Sequence, residues 1–453
     1  METVLGKVNG FVWGVPALWG ILGIGIYLSI RTGFAQIRLL PKALRAFWAT
    51  LRGEQGTGEG ESSFRALCTA LAATVGTGNL AGVAGAIAIG GPGAIFWMWM
   101  SAILGMVTKF AEATLSVHYR QRNSQGEWIG GPMYMIRNGL KKRWHWLAGV
   151  YAFLGIVAAF GVGNATQVNT VIGGINEAVI SLGGQETILG NLIMGAGLAI
   201  LICGILLGGL KKIGSMAEML VPFASVCYLL LGIGVLIARM QNIPGAFTSI
   251  LTGAFSPQAV TGGMVGSMFT GLRIGVSRGV FTNEAGMGTA GIAHAAADVA
   301  HPCQQGLMGI MEVFLDTIVI CTMTALVILV SGVGVPYGED VGVALTTQAC
   351  TSIYGGWVSI VIAAALCCFA IATVLGWGLY GARCAQYLFG DGVWKRFVFF
   401  QGGAVVLGAV LKTGTVWQLS ETVNGLMAIP NLIALGFLAP TLRHLQKDFQ
   451  KKL

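Results

Sequence analysis

The sequence predicts an all-α polytopic membrane protein of one domain. We read eleven transmembrane helices, one at the N-terminus followed by ten in an inverted five-plus-five repeat. Three observations predict this. Hydrophobic residues fill 55% of the 453 positions and charged residues only 10%, against roughly 25% charged in a soluble domain. Eleven apolar stretches read as spans, most of them near the roughly 20 residues that cross a bilayer. Finally, the basic residues gather on one side once the stretches alternate.

The stretches centre on residues 12–30, 66–90, 94–117, 146–170, 187–209, 217–238, 264–295, 307–332, 352–382, 396–411 and 417–440. The first outlasts a signal-peptide core and runs straight into basic residues, so it reads as a permanent helix. The loop 31–65 carries Arg31, Arg38, Lys42, Arg45, Arg52 and Arg65. The loop 119–145 carries Arg120, Arg122, Arg137, Lys141, Lys142 and Arg143. With Lys211, Lys212, Arg383, Lys395, Arg396, Arg443, Lys447, Lys451 and Lys452, one side collects 21 of the 27 basic residues. The other side receives Lys7, Arg239 and Lys412. The positive-inside rule then places the N-terminus outside and the C-terminus in the cytoplasm. The expected divisions are 1–65 (extra helix and basic segment), 66–238 and 239–442 (five-helix repeats), and 443–453 (basic tail).

Composition excludes several classes. The net charge of +9 sits at the ends of apolar runs, where it sets topology and does not form a nucleic-acid surface. The nine cysteines form no CxxC pair, so neither a metal cage nor a disulfide framework is supported. The 70 glycines suit close helix packing in lipid. No HExxH, GxSxG or histidine cluster marks an enzyme. No repeated filter marks a passive channel.

Two stretches are broken by glycine and carry polar groups. The first is Ala72-Ala73-Thr74-Val75-Gly76-Thr77-Gly78-Asn79 and the second is Phe281-Thr282-Asn283-Glu284-Ala285-Gly286-Met287-Gly288. An unwound segment at membrane depth survives only where it lines a cavity or is buried in protein. A pair of such breaks points to the binding site of a secondary transporter. Backbone N–H groups at a half-helix start favour an anion, and freed carbonyls with Thr74, Thr77 and Asn79 oxygens suit a hard cation. Packing through small residues is the alternative for this run.

Other polar groups lie in the spans. Glu284 can meet an ammonium, hold a cation or pair with Arg278, the ion pair being the preferred reading. Asn164, Thr166, Gln167 and Asn169 stand in the fourth stretch, where Gln167 can serve a zwitterion and the group can equally join helices. Thr373 offers a hydroxyl, and Trp377 between glycines can cap a small pocket. Lys109 and Glu112, three apart, are expected to pair. Glu312 and Asp316, four apart, would repel, so one is expected to be protonated or paired elsewhere.

The tracts Thr74 to Gly85, Gly90-Gly91-Pro92-Gly93-Ala94, Lys109-Phe110-Ala111-Glu112, Gly130-Gly131-Pro132-Met133-Tyr134 and Phe281 to Gly288 resemble the alanine or glycine:cation symporter family of prokaryotes. The resemblance covers essentially the whole chain. It implies the leucine-transporter fold and uptake of a small neutral amino acid (alanine, glycine or similar) coupled to sodium, with proton coupling as the alternative. It implies substrate contacts from Thr77, Gly78, Asn79, Gln167, Phe281, Thr282, Asn283, Gly286, Met287 and Trp377. It also implies a sodium site from the Ala72 and Val75 carbonyls with Thr373, although Ala372 stands where a second hydroxyl is often found. The expected setting is a monomer in the lipid bilayer, with sodium as the coupling ion and no prosthetic group.

Overall fold

The computed structural model describes residues 11, 16–53, 61–181, 185–263, 267–339, 341–411 and 413–452. It is built from helices, with one two-stranded hairpin, Gln121–Arg122 against Trp128–Ile129. Each of the eleven apolar stretches carries helix. In chain order the helices that matter below are α1 (Pro16–Thr32), α2 (Leu40–Leu51), α3 (Ser63–Thr74), α4 (Val83–Gly90), α5 (Gly93–His118), α6 (Trp146–Phe160) and α7 (Thr166–Ser181). They continue as α8 (Ile188–Leu206), α9 (Gly209–Ala238), α10 (Met268–Asn283), α11 (Thr289–His294), α12 (Pro302–Val313) and α13 (Thr322–Ser331). The last three are α14 (Val358–Phe389), α15 (Trp394–Val410) and α16 (Thr413–Lys451).

Among the described residues, eight helical segments are long and apolar enough to cross a membrane. The bent pair α3 with Gly78–Gly90 makes a ninth. α1 is a shorter apolar helix, and α10 with α11 is split by a loop. Lys7, Lys412 and the side chain of Glu421 lie outside the described residues.

Residues 443–451 continue α16 without a break. The segment after α1 is folded: a short helix, Ala35–Arg38, precedes α2.

α5 is the central rod. It packs against α1, α10, α11, α12 and the helix Ile243–Phe255. Small residues allow the approach, as at Gly275, where a Cβ would meet the Ala94 carbonyl oxygen at 2.2 Å. Three spans contain a wide π-helical stretch: Gly78–Gly82, Gly161–Ala165 and Phe314–Cys321. Such stretches are frequent at functional sites. All three lie close to the two breaks.

Candidate functional site between the two breaks

In the first break the chain leaves the helix at Val75 (φ −77°, ψ 100°) and bends by 53° before winding again. Gly76 N–H donates to Asn79 Oδ1 at 2.8 Å. It therefore no longer reaches back to the Ala72 carbonyl. Asn79 N–H turns to the Gly76 carbonyl at 3.3 Å, which frees Val75 in the same way. The next amides, Thr77 and Gly78, open the new helix, where the first N–H groups have no partner one turn back.

In the second break α10 stops at Asn283. Glu284 takes a left-handed conformation at φ 53°, followed by Gly286 at φ 95° and Gly288 at φ 80°. Three positive φ angles within five residues cannot continue a helix, and at Gly286 and Gly288 there is no Cβ to clash. Asn283 Oδ1 accepts from Ala285 N–H at 3.0 Å and steadies the turn. The far side is held by α5, whose Glu112 Oε1 accepts from Gly286 N–H and Gly288 N–H, both at 3.0 Å. Asn431 of α16 donates to the same oxygen at 2.7 Å and to the Gly286 carbonyl at 2.9 Å.

The expected Lys109–Glu112 pair is therefore absent. Lys109 Nζ meets Glu312 Oε1 at 2.7 Å, both side chains fully buried. Glu312 Oε2 lies 3.0 Å from His294 Nε2. Positions three apart share a helix face, but the unwound backbone beside Glu112 offers two buried donors that have no other acceptor. Glu312 and Asp316 avoid repulsion by turning to separate partners.

Asp316 links the two breaks. Its Oδ1 accepts from Asn79 Nδ2 at 2.6 Å. Its Oδ2 accepts from Thr317 Oγ1 at 2.8 Å, and Thr317 Oγ1 accepts from Asn283 Nδ2 at 3.1 Å. The π-helical stretch carries both residues.

A small cavity lies between the breaks. It is lined by Ala73, Thr74, Gly76, Thr77, Gly78, Val162, Gln167, Phe281, Thr282, Glu284, Thr373 and Trp377. The space between its walls, open solvent included, is about 270 Å³. Thr77 Oγ1 donates to Gln167 Oε1 at 3.1 Å, joining the first break to the helix that follows Gly161–Ala165. The Trp377 indole is 1% exposed and donates to Glu284 Oε1 at 2.9 Å. Thr289 Oγ1 donates to the other Glu284 oxygen at 2.6 Å. This replaces the expected ion pair with Arg278: Glu284 orients the tryptophan. Gly163 makes room for it, since a Cβ there would lie 2.1 Å from Trp377 Cβ.

Of the residues expected from sequence, Thr77, Gly78, Gln167, Phe281, Thr282, Trp377 and Thr373 come together around the cavity. Asn79, Asn283, Gly286, Met287, Ala72 and Val75 are not in its lining. Asn79 and Asn283 face Asp316 and Thr317. Gly286 faces Glu112, and the Met287 carbonyl accepts from Tyr151 Oη at 3.1 Å. The left-handed turn at Glu284 sends this backbone toward α5 and away from the cavity. The polar group of the fourth stretch divides: Asn164 donates to the Gln401 carbonyl and Asn169 to those of Gly408 and Leu411, joining helices, while only Gln167 lines the cavity. Sequence reasoning missed Ala73 and Val162 as lining, and Glu112 and Asn431 as holders of the second break. The signal for Glu112 was its acid in an apolar helix; a lone Asn431 gave little.

The profile of the sodium:alanine symporter family matches residues 1–453. The chain belongs to that family. A member of it is a membrane transporter of the symport class and not an enzyme. The sodium/alanine symporter AgcS of Methanococcus maripaludis is 43% identical over 96% of this chain and 94% of its own. The amino-acid carrier protein AlsT of Bacillus subtilis is 36% identical over 100% of this chain and 92% of its own. Among solved structures, MhsT in complex with L-phenylalanine aligns with a TM-score of 0.59 at 16% identity, covering 86% of this symporter and 99% of that chain. This likeness shows the leucine-transporter fold.

Proposed function

We propose that this symporter imports a small neutral amino acid, alanine, glycine or similar, driven by sodium and by alternating access. The observation that carries this is the small cavity enclosed by both breaks, with helix-start amides at Thr77 and Gly78, Gln167 beside them and Trp377 closing it. A substrate carboxylate would meet the amides of Thr77 and Gly78, where a half-helix start favours negative charge. Phe281, Thr282 and the second break would face the amine and side chain. The freed Ala72 and Val75 carbonyls, with Thr373 Oγ1, would hold sodium as cargo. The hard oxygen donors fit that ion. A Cβ on Gly76 would lie 2.8 Å from Thr373 Oγ1, so this hydroxyl faces the first break. The sodium/alanine symporter AgcS supports the choice of ion and substrate class. Asn79, Asn283, Gly286 and Met287 would act by shaping the breaks.

The remaining topology belongs to the same proposal. We place two inverted five-helix halves over 66–238 and 239–442, the N-terminus outside and the C-terminus in the cytoplasm of a prokaryotic plasma membrane, with a monomer as the working unit. The test is uptake of radiolabelled alanine into proteoliposomes with and without an inward sodium gradient. Gradient-dependent, saturable uphill uptake is expected; equal uptake in both would sink sodium coupling. The proton-coupled alternative rests on Glu284, a carboxylate in the cavity wall, or on Asp316, which bridges the breaks. Loss of pH-driven uptake in Glu284→Gln or Asp316→Asn would favour it.

A further inference from the structure

After α1 the chain forms two short helices, Ala35–Arg38 and α2, neither long enough to cross a membrane. Residues 31–53 include five cations, Arg31, Arg38, Lys42, Arg45 and Arg52, and no acid; the next acids in sequence are Glu54 and Glu59. The chain turns through Gly33 and Phe34, both at positive φ, into Ala35–Arg38 and then α2. α2 is two-faced. Ala43 and Thr50 are buried, and Phe47 meets Phe64 of α3 with ring centroids 6.4 Å apart. α2 also packs against α12.

The other face carries Lys42, Arg45 and Arg52, all exposed. Beside them stand Trp48, 59% exposed, and Leu51, 43% exposed. Helical spacing places Arg45, Trp48 and Arg52 in one row, with Leu51 on one flank and Lys42 on the other. Just upstream, Phe34 and Ile37 are 51% and 60% exposed beside the exposed Arg38. A soluble surface has no use for this mixture. At a bilayer surface it fits: the indole and leucine enter the acyl boundary, and the long basic side chains reach up to the headgroups. The end of α16 lies on the same side of the membrane, since Gln446 Nε2 donates to the Thr32 carbonyl at 3.0 Å. It adds the exposed Arg443, Lys447 and Lys451.

We propose that this face of α2 docks on anionic phospholipid headgroups and so fixes the base of α3 and α12 to the membrane surface. Charge complementarity selects the anionic headgroup over a zwitterionic one, since each cation near such a surface strengthens binding. The proposal needs only the membrane-spanning fold and is independent of the cargo.

The experiment measures lipid retained by the full chain in native mass spectrometry, after equilibration with phosphatidylglycerol or phosphatidylcholine. The wild type is expected to keep phosphatidylglycerol preferentially, and to lose it as salt is raised. The variant Lys42→Gln/Arg45→Gln/Arg52→Gln should lose retention by about fivefold per cation removed. The charge-preserving Lys42→Arg/Arg45→Lys/Arg52→Lys should keep it. Salt dependence in the wild type tests the idea even if the neutral variant fails to fold. Equal retention of the two lipids by the wild type overturns the proposal. So does unchanged phosphatidylglycerol in the neutral variant, or a dimer lost from that variant with lipid unchanged, which would make the face a contact between copies.

Discussion

The two breaks solve one problem by different means. At Val75–Gly76 the unwound stretch is short, and a side chain three residues on, Asn79, accepts the displaced Gly76 N–H. At Glu284–Gly288 the stretch is longer, and two other helices serve it: Glu112 accepts from the Gly286 and Gly288 amides, and Asn431 donates to the Gly286 carbonyl. The first break is thus held mainly from within its own segment. The second exists because of its neighbours. Asp316 joins them, so movement at one is felt at the other through Asn79 on one side and Thr317 with Asn283 on the other. That is a physical route by which the proposed ion and substrate sites would be coupled, typically by about 1–3 kcal/mol.

The largest expected effect comes from removing the external support. Glu112→Ala strands the Gly286 and Gly288 N–H groups, each unpartnered group costing about 1–3 kcal/mol, and takes one of the two acceptors of Asn431 Nδ2. We expect about 3 kcal/mol or more of lost stability in thermal unfolding and near-complete loss of uptake. Uptake within twofold of wild type would mean that the second break holds itself. Next comes Asn79→Ala, which removes the internal support and one arm of the Asp316 bridge. About 2 kcal/mol is expected, read as a 10- to 100-fold weaker alanine affinity in a binding assay. An effect matching that of Glu112→Ala on stability would erase the contrast between the breaks.

Smaller effects sharpen the picture at the cavity wall. Trp377→Ala should enlarge the pocket and admit longer side chains, each added methylene gaining about 1 kcal/mol or more. Competition of alanine uptake by leucine and methionine measures this, and an unchanged range would remove the capping role. The mildest change is Thr373→Val, which keeps shape and deletes one oxygen. The sodium concentration for half-maximal uptake should rise roughly threefold to tenfold, on the order of one hydrogen-bond equivalent. Unchanged sodium dependence would take Thr373 out of the ion site.

Much of this was legible in the sequence. Glycine with polar residues inside an apolar run marked both breaks, because such a pattern contradicts an ordinary lipid-facing helix. Gln167, Thr373 and Trp377 stood out for the same reason and do meet at the cavity. The partners of the charged residues were not legible. Spacing on one helix suggested Lys109 with Glu112, and a shared span suggested Glu284 with Arg278, whereas the folded chain gives Lys109 to Glu312, Glu112 to unwound backbone and Glu284 to Trp377.

What the sequence alone determined was the membrane-spanning class, the sites where helices fail and the residue types near them. Each follows from local rules: hydropathy sets what enters lipid, and glycine with positive φ sets where a helix stops. Only the tertiary structure decided which buried donor meets which acceptor, and which face of each break looks into the cavity. In a low-dielectric interior every such group must find a partner, and the partners come from helices up to 319 positions away, as Asn431 does for Glu112.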